Sequence, residues 1–205
     1  MKIKKTFYPK TKRYSKNSAS VVITEKLDGS NIAFFKFDGQ LYVAQRKNIM
    51  TIDEEAVGNY KGLREWLNNY ADKLNLYEGS CICGEWIGQG HLKYPNLDKR
   101  LYLFAKGNVD EDFSLKNRIY ELDYLKYPFE GQEVPDFIGT VPVVAELSAY
   151  PTMEELNSLY EQYRKEQNRD VEGFVINQNN TIRKYVRMKN GKLSDHVENV
   201  YGEEK

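Results

Sequence analysis

The residue best placed to do chemistry is Lys26, in the stretch Glu25-Lys-Leu-Asp-Gly29. It follows the β-branched run 21–24, which predicts a buried strand, and it precedes Asp28-Gly29, a dipeptide that favours a turn. A lysine amine is a nucleophile only without its extra proton, and losing that proton at pH 7 costs roughly 4–5 kcal/mol from a reference pKa near 10.4. Desolvation or nearby cations must supply that free energy. Taken alone, the pattern is more often a solvated lysine beside a hairpin turn.

Two carboxylates lie within stretches that predict strands. Glu85 stands among apolar neighbours, and Glu172 is followed directly by Gly173. An ionised carboxylate inside a sheet needs a partner, so we expect either a salt bridge or a ligand at Glu85.

Three cations stand on or beside predicted strands. Arg187 and Lys189 alternate along the last one, and two cations on one face repel each other unless an anion lies between them. Arg46 ends an earlier strand, and its fork of donors matches a phosphate. A solvated edge strand and a surface arginine explain the same residues. Combined with Lys26 and the two carboxylates, however, they suit a nucleoside triphosphate site.

The elements that position these residues are mostly strands. Ser114 can cap one helix, and Thr152 with Glu155 forms a capping box for another. Tyr102 and Phe104 share a strand face, where an aromatic ring is either core or a platform for a base. The predicted strands cover 21–24, 32–37, 41–45, 80–88, 101–105, 141–147, 170–176 and 182–189, and the predicted helices cover 60–76, 114–124 and 152–167.

Composition excludes some classes of function. The 205 residues carry 30 basic and 30 acidic side chains, so the net charge does not indicate a class of partner. A polyanion would have to bind at a local basic patch. No apolar run approaches 18 residues and the N-terminus lacks an apolar core, which disfavours membrane insertion and secretion. The two cysteines, Cys81 and Cys83, should share a strand face as reduced core thiols, and no zinc site is indicated. We therefore expect a cytoplasmic protein, in the host cytoplasm if the source is viral.

The N-terminal segment 1–17 interleaves basic and aromatic residues. That pattern suits a phosphate backbone and its bases, and it equally suits a solvated terminus.

In order along the chain, these segments resemble the signature of the covalent nucleotidyltransferases, which comprise polynucleotide ligases and mRNA capping enzymes. The stretch Glu25-Lys-x-x-Gly29-Ser-Asn31 is most similar to RNA ligases of the RNA ligase 2 type found in T4-like phages. The resemblance implies an α+β nucleotidyltransferase fold, ATP-grasp-like, with antiparallel sheets flanking a nucleotide cleft and helices outside. The matching motifs are Lys26-Leu-Asp-Gly29, Tyr102-Leu-Phe104, Glu172-Gly-Phe-Val175 and Arg187-Met-Lys189.

The resemblance further implies an ATP-dependent RNA ligase. Lys26 attacks the α-phosphate of ATP and expels pyrophosphate, AMP then passes to an RNA 5′-phosphate, and an RNA 3′-hydroxyl displaces AMP to seal the ends.

Roles for individual residues follow from the same resemblance. Arg187 and Lys189 hold the triphosphate and join Lys26 as the catalytic set. Glu172 binds Mg²⁺ or Mn²⁺, and Glu85 binds the ribose hydroxyls or that metal. The cofactor-binding set is Glu25, Lys26, Glu85, Phe104, Glu172, Arg187 and Lys189, with Phe104 stacked on adenine. Contacts with substrate RNA are expected from Asn31, Arg46, Lys10, Lys12 and Arg13.

The chain ends shortly after Lys189, which leaves no room for the OB-fold or helical domain that often follows this catalytic domain. We therefore expect one nucleotidyltransferase domain over 1–205, with the basic segment 1–17 or an accessory protein gripping the RNA. The nearest alternative is a minimal ATP-dependent DNA ligase, and another is a non-catalytic nucleic-acid-binding module of the same fold. A capping enzyme fits less well, because those usually carry arginine where Asn31 stands.

Overall fold

In a computed structural model, two mainly antiparallel sheets and two α-helices make up most of the described chain. The structure describes residues 20–45, 48–54, 58, 60–120, 122, 125, 129–130, 133–189 and 191–193. The strands are β1 Val21–Lys26, β2 Ser30–Phe37, β3 Gln40–Ala44, β4 Ile49–Thr51, β5 Ser80–Trp86, β6 Leu101–Val109, β7 Leu115–Ile119, β8 Ile138–Thr140, β9 Val143–Leu147, β10 Gly173–Gln178, β11 Thr181–Val186, β12 Met188–Lys189 and β13 Lys192–Leu193. The helices are α1 Leu63–Tyr70, which continues as the 3₁₀ turn Ala71–Lys73, and α2 Met153–Gln167.

The strands pair in a simple order. The first sheet runs β11-β10-β1-β9, and the second runs β4-β3-β2-β5-β6-β7 with β8 parallel to β6. Strands β12 and β13 form a separate hairpin. Consecutive strands β1 and β2 therefore belong to different sheets, and only the residues between Lys26 and Ser30 connect them. This arrangement confirms the predicted α+β class with antiparallel sheets.

The first sheet packs one face on α2. Val21 and Ile23 are fully buried there in a cluster with Tyr160 and Phe174. Because side chains alternate along a strand, Lys26 lies on the opposite face. The helix begins at Thr152, whose hydroxyl accepts the Glu155 N–H at 3.2 Å, and the full capping box is present as predicted.

The second sheet packs on α1. Trp66 of the helix meets Trp86 of β5 edge to face, with ring centroids 5.6 Å apart, above buried Ile32 and Phe34 of β2. The helix is shorter than the predicted 60–76, because it begins after Gly62 in a left-handed conformation (φ 79°) and tightens to a 3₁₀ turn after Tyr70. Neither helix is long and apolar enough to cross a membrane in the described part of the chain.

The helix predicted over 114–124 is wrong. Residues 115–119 form β7, which pairs antiparallel with β6. The Ser114 N–H donates to the Asp110 carboxylate at 2.9 Å, so Ser114 closes a turn instead of capping a helix. The apolar residues Leu115, Ile119 and Leu122 suit a helical spacing, but pairing with an available strand edge outweighs that local preference.

A two-residue turn joins the sheets at one end. Asn179 and Asn180 both have positive φ, 51° and 65°, as a tight β-hairpin requires. The Asn180 amide accepts the Tyr120 N–H at 2.7 Å and donates to the Arg118 carbonyl at 2.5 Å. The β10–β11 hairpin is thereby fixed to the end of β7.

Candidate active site

The predicted nucleophile contacts one of the predicted carboxylates. Lys26 is the last residue of β1, and Glu172 directly precedes β10, which pairs with β1. The Lys26 Nζ donates to Glu172 Oε1 in an ion pair that is mostly buried, since the two side chains are 23% and 17% exposed. Residues 146 positions apart in sequence are thus joined by one strand pairing.

Glu172 has one oxygen left over. Its Oε2 is buried and has no hydrogen-bond partner among the residues that the structure describes. Burial raises the pKa of this carboxyl, and the hydrogen bond and charge of Lys26 oppose that rise, with a smaller opposing effect from Lys184. A buried carboxylate oxygen without a donor is a position that a cation can fill.

Glu85 stands on the second sheet and faces the same charges. Its Oε1 accepts the Gly29 N–H at 3.1 Å, which fixes it to the turn after Lys26. Burial raises its pKa to about 7, while Lys26 and the Gly29 N–H lower it and Glu172 and Asp28 raise it further. Lys26, Glu85 and Glu172 therefore form one electrostatic cluster between the sheets.

Glu85 should make the stability of the protein fall as pH rises. An acid whose pKa is raised from 4.5 to about 7 binds its proton more tightly in the fold, so the folded state is favoured at low pH and loses that advantage between these values. Glu85→Gln keeps a carbonyl for the Gly29 N–H but cannot ionise. When the pH is raised from 5.5 to 8.5, we expect the free energy of unfolding of this variant to increase by roughly 2 kcal/mol relative to that of the wild type. Urea unfolding at the two pH values measures it.

Glu155→Gln is the matched control for this pH effect. Hydrogen bonds from Thr152 lower the pKa of Glu155 below its usual range, so its titration ends before pH 5.5. The difference in free energy of unfolding between Glu155→Gln and the wild type should be the same at both pH values. A constant difference for Glu85→Gln as well would show that Glu85 is not buried among these charges.

The structure does not bring Glu25 to this cluster. Its side chain points to the α2 face of β1, where it is fully buried. Both carboxylate oxygens accept from Arg169, at 2.6 and 2.7 Å, and Tyr163 donates a third hydrogen bond at 2.9 Å. Both oxygens of Glu25 are therefore engaged by protein side chains.

Arg187 also lies apart from the Lys26–Glu172 pair. The strand predicted over 182–189 is interrupted at Arg187, between β11 and β12, and the Arg187 and Met188 N–H groups both donate to the Glu172 carbonyl, at 2.9 and 3.0 Å. The Arg187 guanidinium lies 5.4 Å from the Tyr160 ring and donates to Asn157 Oδ1 at 3.0 Å. Its backbone adjoins the site while its side chain packs on α2.

Asn31 and Phe104 lie on the second sheet near Glu85. Asn31 pairs in register with Glu85, which places both side chains on one face, and Asn31 is exposed. Phe104 is half-buried, and its ring is nearly parallel to that of Tyr120 with centroids 6.5 Å apart. Five predicted contacts have positions or side chains outside the described residues: Arg46, Lys10, Lys12, Arg13 and the side chain of Lys189.

The carboxylates of Glu172 and Glu85 fit a divalent cation. The Glu172 Oε2, to which no described side chain donates, is the type of oxygen that Mg²⁺ and Mn²⁺ prefer. Within the described ranges, no group of three or more His, Cys, Asp or Glu residues could hold a metal alone. A cation here would take further ligands from phosphate or water, which suits a phosphoryl-transfer site.

Sequence reasoning missed several residues around the cluster. Asp28 accepts the N–H groups of His91 and Leu92, at 2.5 and 2.9 Å, and so holds the loop after β5. Lys184 is exposed and lies on the strand face opposite to Arg183 and Tyr185, where its charge acts on Glu172. Strand alternation could have found Lys184, whereas nothing in the sequence links Asp28 to positions 91 and 92.

A cavity of about 770 Å³ lies elsewhere. Trp66, Tyr70 and Phe137 line it with mixed charges, and it contains none of the residues of the Lys26 cluster.

Comparison with known proteins gives one family and one fold. A family model described as RNA ligase matches residues 19–190. An uncharacterized protein of Methanocaldococcus jannaschii is 28% identical over 137 residues, which are 59% of this chain and 32% of that protein.

Several solved structures are similar, and two of them illustrate the range. An RNA ligase of Naegleria gruberi, solved with ATP and Mn, superposes with a TM-score of 0.53 and 20% identity over 83% of this chain and 50% of that one. A putative ATP-dependent DNA ligase from Aquifex aeolicus gives a TM-score of 0.46 and 17% identity over 83% and 44%. The chain thus spans about a third of the curated relative and half of the Naegleria ligase. The likeness to the Naegleria ligase confirms the predicted fold.

Proposed function

The chain belongs to the RNA ligase family, and from this premise we propose that it is an ATP-dependent RNA ligase with Lys26 as its covalent nucleophile. The observation that carries the proposal is the contact between Lys26 Nζ and the mostly buried carboxylate of Glu172. Each residue belongs to a different motif of the resemblance, and the fold brings them together on the face of β1 that α2 leaves uncovered.

In the first proposed step, the neutral Lys26 amine attacks the α-phosphorus of ATP. A nitrogen–phosphorus bond forms, the bond to the bridging oxygen breaks, and pyrophosphate leaves. Glu172 contacts Nζ, orients the amine and accepts its proton. Burial raises the pKa of Glu172, which makes it a better base than an exposed carboxylate.

The next two steps move AMP and then release it. The 5′-phosphate of an RNA attacks the same phosphorus, which breaks the bond to Lys26 and forms a phosphoanhydride. A 3′-hydroxyl then attacks the RNA phosphate, and AMP leaves as the phosphodiester forms. Asn31 is exposed and pairs in register with Glu85, and it would position the RNA phosphate. Arg46, which lies outside the described residues, is proposed for the same role from its motif alone. Phe104 would stack on adenine.

A divalent cation, Mg²⁺ or Mn²⁺, would be held by Glu172 and Glu85 and would offset negative charge on the phosphate oxygens. The two carboxylates come from different sheets, so they can grip a cation only while the turn after Lys26 keeps the sheets in place.

Sealing assays test the proposal on matched substrates. We expect 5′-phosphorylated RNA ends to be joined with ATP, and all-DNA ends of the same sequence to be joined at least about tenfold more slowly. Equal or faster sealing of DNA would instead identify a DNA ligase. Labelled ATP and GTP, supplied separately without RNA, should label the protein with ATP alone. RNA binding without nucleotide labelling or sealing would identify a non-catalytic binding module.

A further inference from the structure

A buried chain of side chains lies behind the turn that carries Lys26. It begins at Glu25, which is 0% exposed and forms two hydrogen bonds with Arg169, itself only 5% exposed. A fork-to-fork arginine–carboxylate pair fixes both groups in one orientation. Because Glu25 adjoins Lys26 and Arg169 shortly precedes Glu172, this pair joins the two segments that meet at the site.

The series of buried contacts continues from Arg169 to Tyr94. The guanidinium lies 4.8 Å from the Tyr94 ring, and Tyr94 is only 8% exposed, in a cluster with Leu27 and Tyr102. The face of an aromatic ring attracts a cation, more strongly when water is excluded. Arg169 therefore restricts how Tyr94 can move.

Tyr94 is the last side chain of this series, and it contacts the turn itself. Its hydroxyl accepts the Asp28 N–H at 2.5 Å. The Asp28 carboxylate in turn accepts N–H groups from His91 and Leu92, and no side chain fits at Gly90, because a Cβ there would collide with the Asp28 carbonyl. The loop 88–94 thus binds the turn at both the backbone N–H and the carboxylate of Asp28.

The turn needs this support. Residues 27–29 join strands of different sheets and belong to neither strand. Two side chains hold its backbone: Tyr94 takes the Asp28 N–H, and Glu85 takes the Gly29 N–H. Glu85 is already part of the proposed site, whereas Tyr94 stands behind it.

We propose that Tyr94, held by Arg169, is a positioning residue for the reaction of Lys26 with ATP. Its hydroxyl holds the N–H of Asp28, two residues after Lys26, so it fixes the backbone that follows Lys26 and sets where the amine points. A displacement of about 1 Å at a reacting group can cost up to about a hundredfold in rate. The inference rests on the proposed function, since it concerns the same nucleophile.

Tyr94→Phe tests the inference against Tyr102→Phe as a matched control. The first substitution keeps the ring under Arg169 and loses only the hydroxyl. Tyr102 is buried in the same cluster, and its hydroxyl also accepts a backbone N–H, that of Lys99 at 3.0 Å, away from the turn. Both variants lose one buried hydrogen bond of the same kind, so their melting temperatures should fall by similar amounts.

The rate of lysyl-AMP formation should separate the two variants. At saturating ATP we expect Tyr94→Phe to be about tenfold slower than the wild type, with KM for ATP changed less than about twofold, and Tyr102→Phe to stay within about twofold in both. Hydrogen exchange of the Asp28 amide should become faster in Tyr94→Phe only. That second readout does not depend on catalysis.

Equal rates for the two variants, with matched stability, would overturn the inference. If Tyr94→Phe fails to fold, Arg169→Lys serves instead: it keeps the charge but loses the fork, and it should slow the same step at saturating ATP. A wild-type protein that gains no AMP at all would contradict the proposed function. Faster exchange of the Asp28 amide in Tyr94→Phe would then still show that Tyr94 fixes the turn.

Discussion

Lys26→Ala is expected to abolish formation of lysyl-AMP, by roughly 10⁴-fold or more, as removal of a nucleophile does in other enzymes. The same variant should still seal RNA whose 5′-phosphate already carries AMP, because that substrate enters the reaction after the lysine has acted. The loss of one step with retention of another separates a chemical role from misfolding. Transfer of label from ATP to protein measures the first step, and joining of pre-adenylylated RNA measures the last.

Lys165→Ala is the control for this prediction. Lys165 is an exposed lysine on α2, which packs on the face of the first sheet opposite to Lys26. Its loss should change neither measurement by more than about twofold. Full labelling of Lys26→Ala would contradict the assignment of the nucleophile, and loss of both activities would indicate that Lys26 serves the fold.

Arg169→Met is expected to destabilise the protein by about 3–5 kcal/mol. In the described part of the chain, the substitution leaves the buried Glu25 carboxylate with the Tyr163 hydroxyl as its one remaining side-chain donor. The double variant Glu25→Gln with Arg169→Met removes both charges and should recover more than half of that loss, because the cost arises from an uncompensated buried charge. Urea unfolding of the four proteins in the cycle gives both values.

Arg164→Ala is the matched control, on α2 and five positions before Arg169 in the sequence. It breaks an ion pair with Asp170 at 2.9 Å whose side chains are 36% and 50% exposed. Exposed pairs contribute about 0–1 kcal/mol, so its effect should be small. A similar small effect of Arg169→Met would show that water reaches the Glu25 carboxylate.

Much of the fold could be predicted because the local signals agree. The Thr152–Glu155 capping box marks the start of α2, and the β-branched run from Val21 becomes β1. The prediction for the segment after Ser114 failed because its apolar spacing fits a helix, whereas in the fold β6 offers an edge with which the segment pairs. Sequence alone does not show that the Asp110 carboxylate takes the Ser114 N–H.

The site was predictable where motif and strand coincide. Lys26 contacts Glu172, and Glu85 accepts the N–H of the turn that follows Lys26, while the chemical roles of all three stay predictions. Alternation already places Glu25 on the face opposite to Lys26, but its partner Arg169 is 144 residues away and no local pattern indicates it. Arg187 was assigned to the site by its motif, whereas alternation places it with Tyr185 on the α2 face, where both donate to Asn157.

The central claim is that the Lys26 amine forms a bond to the α-phosphorus of ATP. Its most direct test is the intact mass of the protein after incubation with ATP and magnesium, followed by mapping of the modified peptide. We expect the mass to rise by one adenylyl group, located on Lys26 and released by pyrophosphate. An unchanged mass, or an adenylyl group on another residue, would contradict the account.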